Sequence, residues 1–107
     1  MKLSLSVRIA EAASKRTISL AMNEFAQLAR DTGYHAVCMR ASAGGVQTPR
    51  EELAEMRATL DRLGLPVSMA TTDFEVPLNN EHGPDALRDL EPHLEVAKRL
   101  GATLIRV

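Results

Sequence analysis

Four short stretches of the chain have the apolar pattern of β-strands. In the first, residues 3–9, leucine, valine and isoleucine alternate with serine and arginine, and this period of two marks a strand. The other three are residues 35–41, 66–72 and 103–107. Between the strands, apolar side chains recur at helical spacing from residue 17 or 19 to 32, from 48 to 63 and from 84 to 100. The pattern predicts the order β-α-β-α-β-α-β.

One junction occurs three times along the chain: a helix that ends in a basic turn, then a glycine, then a strand. The glycines are Gly33, Gly64 and Gly101. Each is predicted to follow the last residue of its helix, because glycine adopts a positive φ without a Cβ penalty. A repeat of this size corresponds to one supersecondary unit.

The predicted helices carry their own boundary signals. Thr48 can cap the second helix, Pro49 suits its first position, and Glu51 can complete a capping box. Pro92 lies inside the third helix, where it removes a backbone donor and clashes with the preceding turn. A kink or a break near residues 88–91 is therefore expected.

Two α/β architectures fit strands that alternate with helices of this length. Right-handed crossovers give either an open doubly wound parallel sheet or part of a (β/α)8 barrel. The predicted strands have one aliphatic face and one face that is small and polar. The polar face is formed by Ser4, Ser6, Arg8, Ala36, Cys38, Arg40, Ser68, Ala70, Thr72, Leu104 and Arg106.

This polar face favours the barrel, because a doubly wound sheet is apolar on both faces. A complete barrel needs about 250 residues. The 107 residues are therefore predicted to be a single domain, the N-terminal half of a TIM barrel truncated at its fourth strand. The alternative is an open, flavodoxin-like binding domain, which would place the first strand in the centre of the sheet.

Three segments resemble a known superfamily. They are the first strand with its polar face, the junction at residues 33–42 (GYHAVCMRAS) and the closing segment at 97–107 with AKRLGA and IRV. Together they are similar to the xylose isomerase-like TIM barrels, which include sugar phosphate isomerases and epimerases of carbohydrate metabolism. The resemblance covers the whole chain, but only as the N-terminal half of such a barrel.

The resemblance implies metal-dependent chemistry on a sugar or sugar phosphate. A divalent cation, Mn²⁺ or Mg²⁺, polarises substrate oxygens in these enzymes. The ligands of the isomerase and epimerase members come from the second half, so no metal ligand and no catalytic residue is assigned within this chain. The related endonuclease IV enzymes place histidines at the ends of the third and fourth strands. Here those positions hold Thr71, Thr72, Asp73, Arg106 and Val107, which argues against a DNA-repair nuclease.

Three arginines are the main substrate-binding candidates: Arg8, Arg40 and Arg106. Each lies at the carboxyl end of a predicted strand, and active sites of this fold lie at those ends. Converging guanidiniums repel one another unless an anion or protein carboxylates neutralise them. A substrate phosphate or carboxylate is one candidate, since arginine binds either in a bidentate manner. The alternative is that each arginine pairs with a carboxylate of the barrel.

The longest loop, residues 73–83, supplies two further substrate-binding candidates, Phe74 and His82. Loops at this face of a barrel often cover substrates. Asp73, Glu75 and Glu81 share the loop, but their spacing matches no metal motif. His35 and His93 are interpreted as structural.

Composition limits the binding partners and the cellular location that the sequence allows. The net charge of −1 gives no electrostatic case for binding nucleic acid or an acidic membrane. A single cysteine excludes an internal disulfide, and the first residues form neither a secretory signal nor a membrane span. The sequence therefore predicts a cytoplasmic protein.

Two functional hypotheses follow. In the first, the chain is part of a sugar or sugar-phosphate isomerase or epimerase and is inactive alone, because the metal ligands lie beyond residue 107. In the second, it is a non-enzymatic half-barrel that forms a homodimer, or pairs with a partner chain, through its exposed strand edges.

Overall fold

A computed structural model describes residues 2–14, 18–74 and 83–107. The elements are β1 (Ser4–Ser6), a 3-10 helix (Val7–Ala10), α1 (Met22–Asp31), β2 (Ala36–Arg40), α2 (Arg50–Arg62), β3 (Val67–Thr71), α3 (Gly83–Leu100) and β4 (Ile105–Arg106). The predicted alternation of strands and helices is confirmed.

The four strands form one parallel sheet in the order β1-β2-β3-β4. Every crossover moves one strand in the same direction, as in a barrel. A doubly wound sheet reverses direction and places β1 between other strands. Because β1 lies at the edge, the flavodoxin-like alternative is wrong.

The hydrophobic core lies between the sheet and a single helical layer, in which α2 packs between α1 and α3. Val37 and Met39 of β2 face this layer and are fully buried. No polar or charged residue is classed as buried in the described parts of the chain. Its largest buried side chains are those of Phe25, Met39, Leu60, Leu65, Leu100, Val7 and Val37. The other side of the sheet, called the inner face below, is covered by no described element.

The first strand is shorter than predicted. It ends at Ser6, whose hydroxyl accepts a hydrogen bond from the Arg8 backbone N–H at 3.2 Å. This cap starts the 3-10 helix. Residues 7–9 therefore keep the alternating sequence pattern of a strand but do not form one. The prediction that the first strand carries Arg8 at its end is therefore wrong.

The faces of β3 also differ from the prediction. The β2–β3 register shifts after Val37, so that Val37 pairs with Val67 but Met39 pairs with Ala70. As a result Ala70 faces the core and Met69 faces inward, the reverse of simple alternation. The extra residue is Ser68, whose hydroxyl donates to the Val37 carbonyl at 3.2 Å.

The predicted Thr48 cap of α2 and the predicted break of α3 are wrong. Thr48 does not cap α2; its hydroxyl accepts a hydrogen bond from the Gly45 N–H at 3.0 Å, and Pro49 occupies the N-cap position without a side-chain cap. Helix α3 is not broken before Pro92 but continues from Gly83 to Leu100. None of the described helices is long and apolar enough to cross a membrane.

The three helix-terminating glycines have positive φ as predicted, at 86° (Gly33), 69° (Gly64) and 76° (Gly101). At Gly64 an added Cβ meets no atom within 4 Å, so the cost of a substitution is conformational only. We expect Gly64→Ala to lower the free energy of unfolding by about 1 kcal/mol. Gly64→Asn should cost less, because asparagine tolerates this region better. Equal costs in urea unfolding would contradict a conformational origin.

Candidate functional site

A row of polar side chains crosses the inner face at the carboxyl ends of three strands. In the sheet register Arg40 of β2 pairs with Thr71 of β3, and Thr71 pairs with Arg106 of β4. Paired residues of parallel strands point to the same face. With neighbouring strands about 4.8 Å apart, the two arginine backbones lie about 10 Å from each other. The structure therefore brings two of the three predicted arginines together.

Arg40 forms an ion pair with Glu11, through its Nε and the carboxylate Oε1. The side chain of Glu11 is only 4% exposed and that of Arg40 is 30% exposed, so this pair is largely shielded from water. The local fold fixes the carboxylate. Glu11 follows the 3-10 helix, forms an antiparallel bridge with Ile18, and is flanked by the Ser19 N–H bond to the Ala10 carbonyl at 2.7 Å. Of the two partners expected for Arg40, a substrate anion or a protein carboxylate, the structure shows the protein carboxylate, Glu11.

Arg106 and Arg8 differ from Arg40. The Arg106 residue is exposed, and among the described residues its guanidinium has no carboxylate partner. Its backbone carbonyl accepts bonds from the Thr72 N–H (2.9 Å) and the Thr72 hydroxyl (3.2 Å), which fixes β4 against the end of β3. Arg8 is also exposed, but it belongs to the 3-10 helix and not to the row.

Phe74 lies at the start of the long loop, against α3. The Phe74 ring meets the His93 ring edge-on, with the ring centroids 5.5 Å apart. The backbone N–H of Phe74 donates a hydrogen bond to the Thr72 hydroxyl at 3.2 Å. His93 Nδ1 lies 3.6 Å from an Asp73 carboxylate oxygen, and its side chain is 13% exposed. The contacts of Thr72, Asp73 and Phe74 thus anchor the point where the loop leaves the sheet.

The remaining candidates of the long loop lie outside the described residues: Glu75, Glu81 and His82. Within the described ranges, no group of three or more histidine, cysteine, aspartate or glutamate side chains could hold a metal ion. The residues described here therefore do not fit a divalent cation, and no chemical step is assigned to one. His35 is structural: its Nδ1 accepts the Leu3 N–H at 3.1 Å at the opposite end of the sheet.

The arrangement can bind a small anion. Glu11 neutralises Arg40, so Arg106 supplies the unbalanced positive charge of the row, and the Thr71 hydroxyl lies between the two guanidinium-bearing positions. A guanidinium that is not engaged by a carboxylate presents its N–H groups to a phosphate or carboxylate. Acid–base chemistry needs groups that this row lacks.

Solved structures share this fold. The probable 3-DHS dehydratase AsbF of Bacillus anthracis is 14% identical, with a TM-score of 0.71 over 98% of this chain and 37% of its own. The 3-keto-D-glucoside 4-epimerase YcjR of E. coli is 17% identical, with a TM-score of 0.64 over 98% and 36%. A xylose isomerase-like TIM barrel protein from Mycobacterium smegmatis, in complex with magnesium, is 16% identical, with a TM-score of 0.58 over 97% and 36%.

The chain has the fold of one part of a TIM barrel. It spans about a third of the length of these proteins, consistent with the predicted N-terminal half. No protein-family model and no curated protein matches the sequence. At such low identities the likeness establishes the fold of this segment alone, and its chemistry must be argued from its own residues.

Sequence reasoning missed Glu11 and Thr71 as members of the site. Glu11 lies in a polar stretch that reads as an ordinary loop, and only a contact with a strand-end arginine gives it a role. Thr71 was missed because the register shift in β3 exchanges the two faces. The signal that could have found Glu11 is a carboxylate just after the first predicted strand, in a chain whose second strand ends in an arginine.

Proposed function

We propose that this chain is the N-terminal part of a metal-dependent isomerase or epimerase barrel that acts on a sugar or sugar phosphate. The observation that carries the proposal is the row of Arg40, Thr71 and Arg106 at the carboxyl ends of a sheet wound in barrel order. Barrel enzymes bind their substrates at this end. The likeness to a 3-keto-D-glucoside 4-epimerase supports the same class.

In this proposal the described residues bind and orient the substrate. Arg106 takes the anionic group of the substrate, and Thr71 donates or accepts a hydrogen bond beside it. The ion pair with Glu11 fixes the side chain of Arg40, so that the guanidinium N–H groups not bonded to Glu11 lie along the same row. Phe74 forms a wall at the loop base, and His82 remains a predicted contact of the loop.

The metal and the acid–base groups are assigned to the rest of the barrel. The cation, Mg²⁺ or Mn²⁺, would polarise substrate oxygens there. Because the chain spans about a third of its structural neighbours, we propose that it has no turnover by itself. We also propose a cytoplasmic location and small-molecule substrates, with no nucleic-acid partner.

Anion binding tests the role of the row. In NMR titrations of the ¹⁵N-labelled chain with inorganic phosphate, shifts are expected at residues 40, 71 and 106. Arg106→Gln should weaken binding about tenfold, because a hydrogen bond to a charged group contributes about 1.5–3 kcal/mol. The matched control is Arg62→Gln on the exposed end of α2, which should leave the affinity unchanged. Equal affinities for both variants would exclude Arg106 from an anion site.

Turnover tests the assignment of the chemistry. The purified chain is incubated with Mg²⁺ or Mn²⁺ and a panel of aldoses, ketoses and their phosphates, and isomer formation is followed by chromatography. No product above the protein-free rate is expected. Product formation would show that the catalytic groups lie within these residues and would contradict the proposed division.

A further inference from the structure

A cavity of about 450 Å³ lies at the amino ends of β1, β2 and β3. The sheet contributes Ser4 and Ser68 to its lining, and the junction between α2 and β3 contributes Gly64. His35, at the amino end of β2, is about 16 Å from Arg40 at the carboxyl end, since a parallel strand rises about 3.3 Å per residue. The cavity is therefore separate from the polar row, and its volume is within the range of about 300–1,000 Å³ that is typical of small-molecule sites.

Among the described residues, three basic side chains and no carboxylate line this cavity: Lys2, Arg30 and His35. Lys2 and Arg30 are exposed, and neither forms an ion pair with a described residue. Asp31 follows Arg30 in the chain, but its carboxylate accepts a hydrogen bond from the Gln27 amide at 2.8 Å. This end of the sheet is thus locally positive, although the net charge of the whole chain is −1.

Reciprocal hydrogen bonds hold His35 against Leu3. The Leu3 N–H donates to His35 Nδ1 at 3.1 Å, and the His35 backbone N–H donates to the Leu3 carbonyl at 2.8 Å. Because Nδ1 is the acceptor, the proton of the neutral imidazole is on Nε2, which becomes the donor of the ring. Lys2 precedes Leu3, so the lysine begins at a backbone position that is fixed beside the imidazole.

The two serine hydroxyls of the cavity are already engaged. The Ser68 hydroxyl donates to the Val37 carbonyl at 3.2 Å, and the Ser4 hydroxyl lies 2.7 Å from the Ser68 hydroxyl. Since the Ser68 proton is used at Val37, Ser4 is the donor of the serine pair. Neither serine has a proton left for a ligand, so recognition depends on the three basic side chains.

We propose that this cavity is an anion site, separate from the row, which binds a phosphate group through Lys2, Arg30 and His35. A guanidinium engages two phosphate oxygens in a bidentate manner, and an ammonium binds as a point charge. The imidazole N–H supplies a further donor to the same group. Free phosphate and a phosphate monoester of a small molecule share this chemistry, and the cavity volume leaves room for the organic part of an ester.

The site does not depend on the proposed function. Barrel chemistry takes place at the carboxyl ends of the strands, whereas this cavity lies at their amino ends. A ligand bound here does not reach the reacting atoms. It stabilises the folded chain, because it binds the folded state and not the unfolded one.

NMR titration of the ¹⁵N-labelled chain tests the site, with inorganic phosphate in one series and glucose 6-phosphate in another. Amide shifts are expected at residues 3, 4, 35 and 36. Arg30→Gln should weaken the binding that these shifts report about tenfold, since it removes hydrogen bonds between charged groups, and Lys2→Gln should also weaken it. The control is Arg62→Gln, which removes the same charge from the last turn of α2, outside the cavity, and should leave the affinity unchanged.

The two series distinguish the sources of the phosphate group. Tighter binding of glucose 6-phosphate identifies an ester as the ligand, and equal affinities identify free phosphate. The proposal is overturned if neither compound shifts these amides, or if Arg30→Gln weakens binding no more than Arg62→Gln while circular dichroism shows both variants folded. Arg106→Gln should leave this set of shifts intact, so failure here is separate from failure of the row.

Discussion

Replacing Arg40 by methionine is expected to lower the free energy of unfolding by about 2–3 kcal/mol. The change leaves the Glu11 carboxylate, 4% exposed, without its cation. Removing one partner of a buried ion pair costs about 3–5 kcal/mol. The expected value is lower because Arg40 is 30% exposed and water screens part of the interaction. Urea unfolding followed by circular dichroism gives the measurement.

Two variants make this result specific to the pair. Arg57→Met breaks an exposed ion pair with Asp61, 3.7 Å long, and should change stability by no more than about 0.5 kcal/mol. The double variant Arg40→Met/Glu11→Leu removes both charges and should recover most of the loss. If Arg40→Met is as mild as Arg57→Met, Glu11 does not depend on Arg40 for its charge partner.

The ion pair changes how the candidate site works. From the sequence, three arginines converge on one anion. In the structure Arg40 is held by Glu11, Arg8 belongs to the 3-10 helix, and Arg106 remains without a described carboxylate partner. The proposed anion site is therefore centred on Arg106, whose guanidinium has no carboxylate partner among the described residues.

The predictable parts of the fold are those that local sequence decides. The junction glycines were predicted because positive φ is a local requirement that glycine meets at least cost. The element order followed from hydrophobic periodicity. The β3 register shift is not visible in the sequence, because one extra residue in a strand does not change the apolar–polar pattern of the letters. The pairing with β2 decides which face each residue of β3 occupies.

Glu11, the other residue of the candidate site that the sequence did not predict, depends on contacts that the sequence does not show. Glu11 reaches Arg40 only because the chain turns at Ser6 and then bridges to Ile18. The turn at Ser6 opposes the alternating pattern of residues 3–9, which favours a longer strand, and the bridge to Ile18 lies in a stretch that has no strand pattern. Helix α3 shows the same limit: it continues through Pro92, although the residue type alone predicts a kink or a break there.

Phe25→Ala is expected to abolish the cooperative urea transition. Phe25 of α1 is fully buried, and truncating a buried phenylalanine costs about 3–5 kcal/mol. Domains of this size are stable by only about 5–15 kcal/mol, and no described element covers the inner face of this sheet.

Leu28→Ala, on the same helix but 41% exposed, is the control and should cost under about 1 kcal/mol. If Phe25→Ala and Leu28→Ala melt alike, the burial of Phe25 between α1 and the sheet does not stabilise the chain. If Phe25→Ala alone unfolds it, one helix layer against one sheet face is a sufficient core, and the inner face is free to be shaped by substrate and partner.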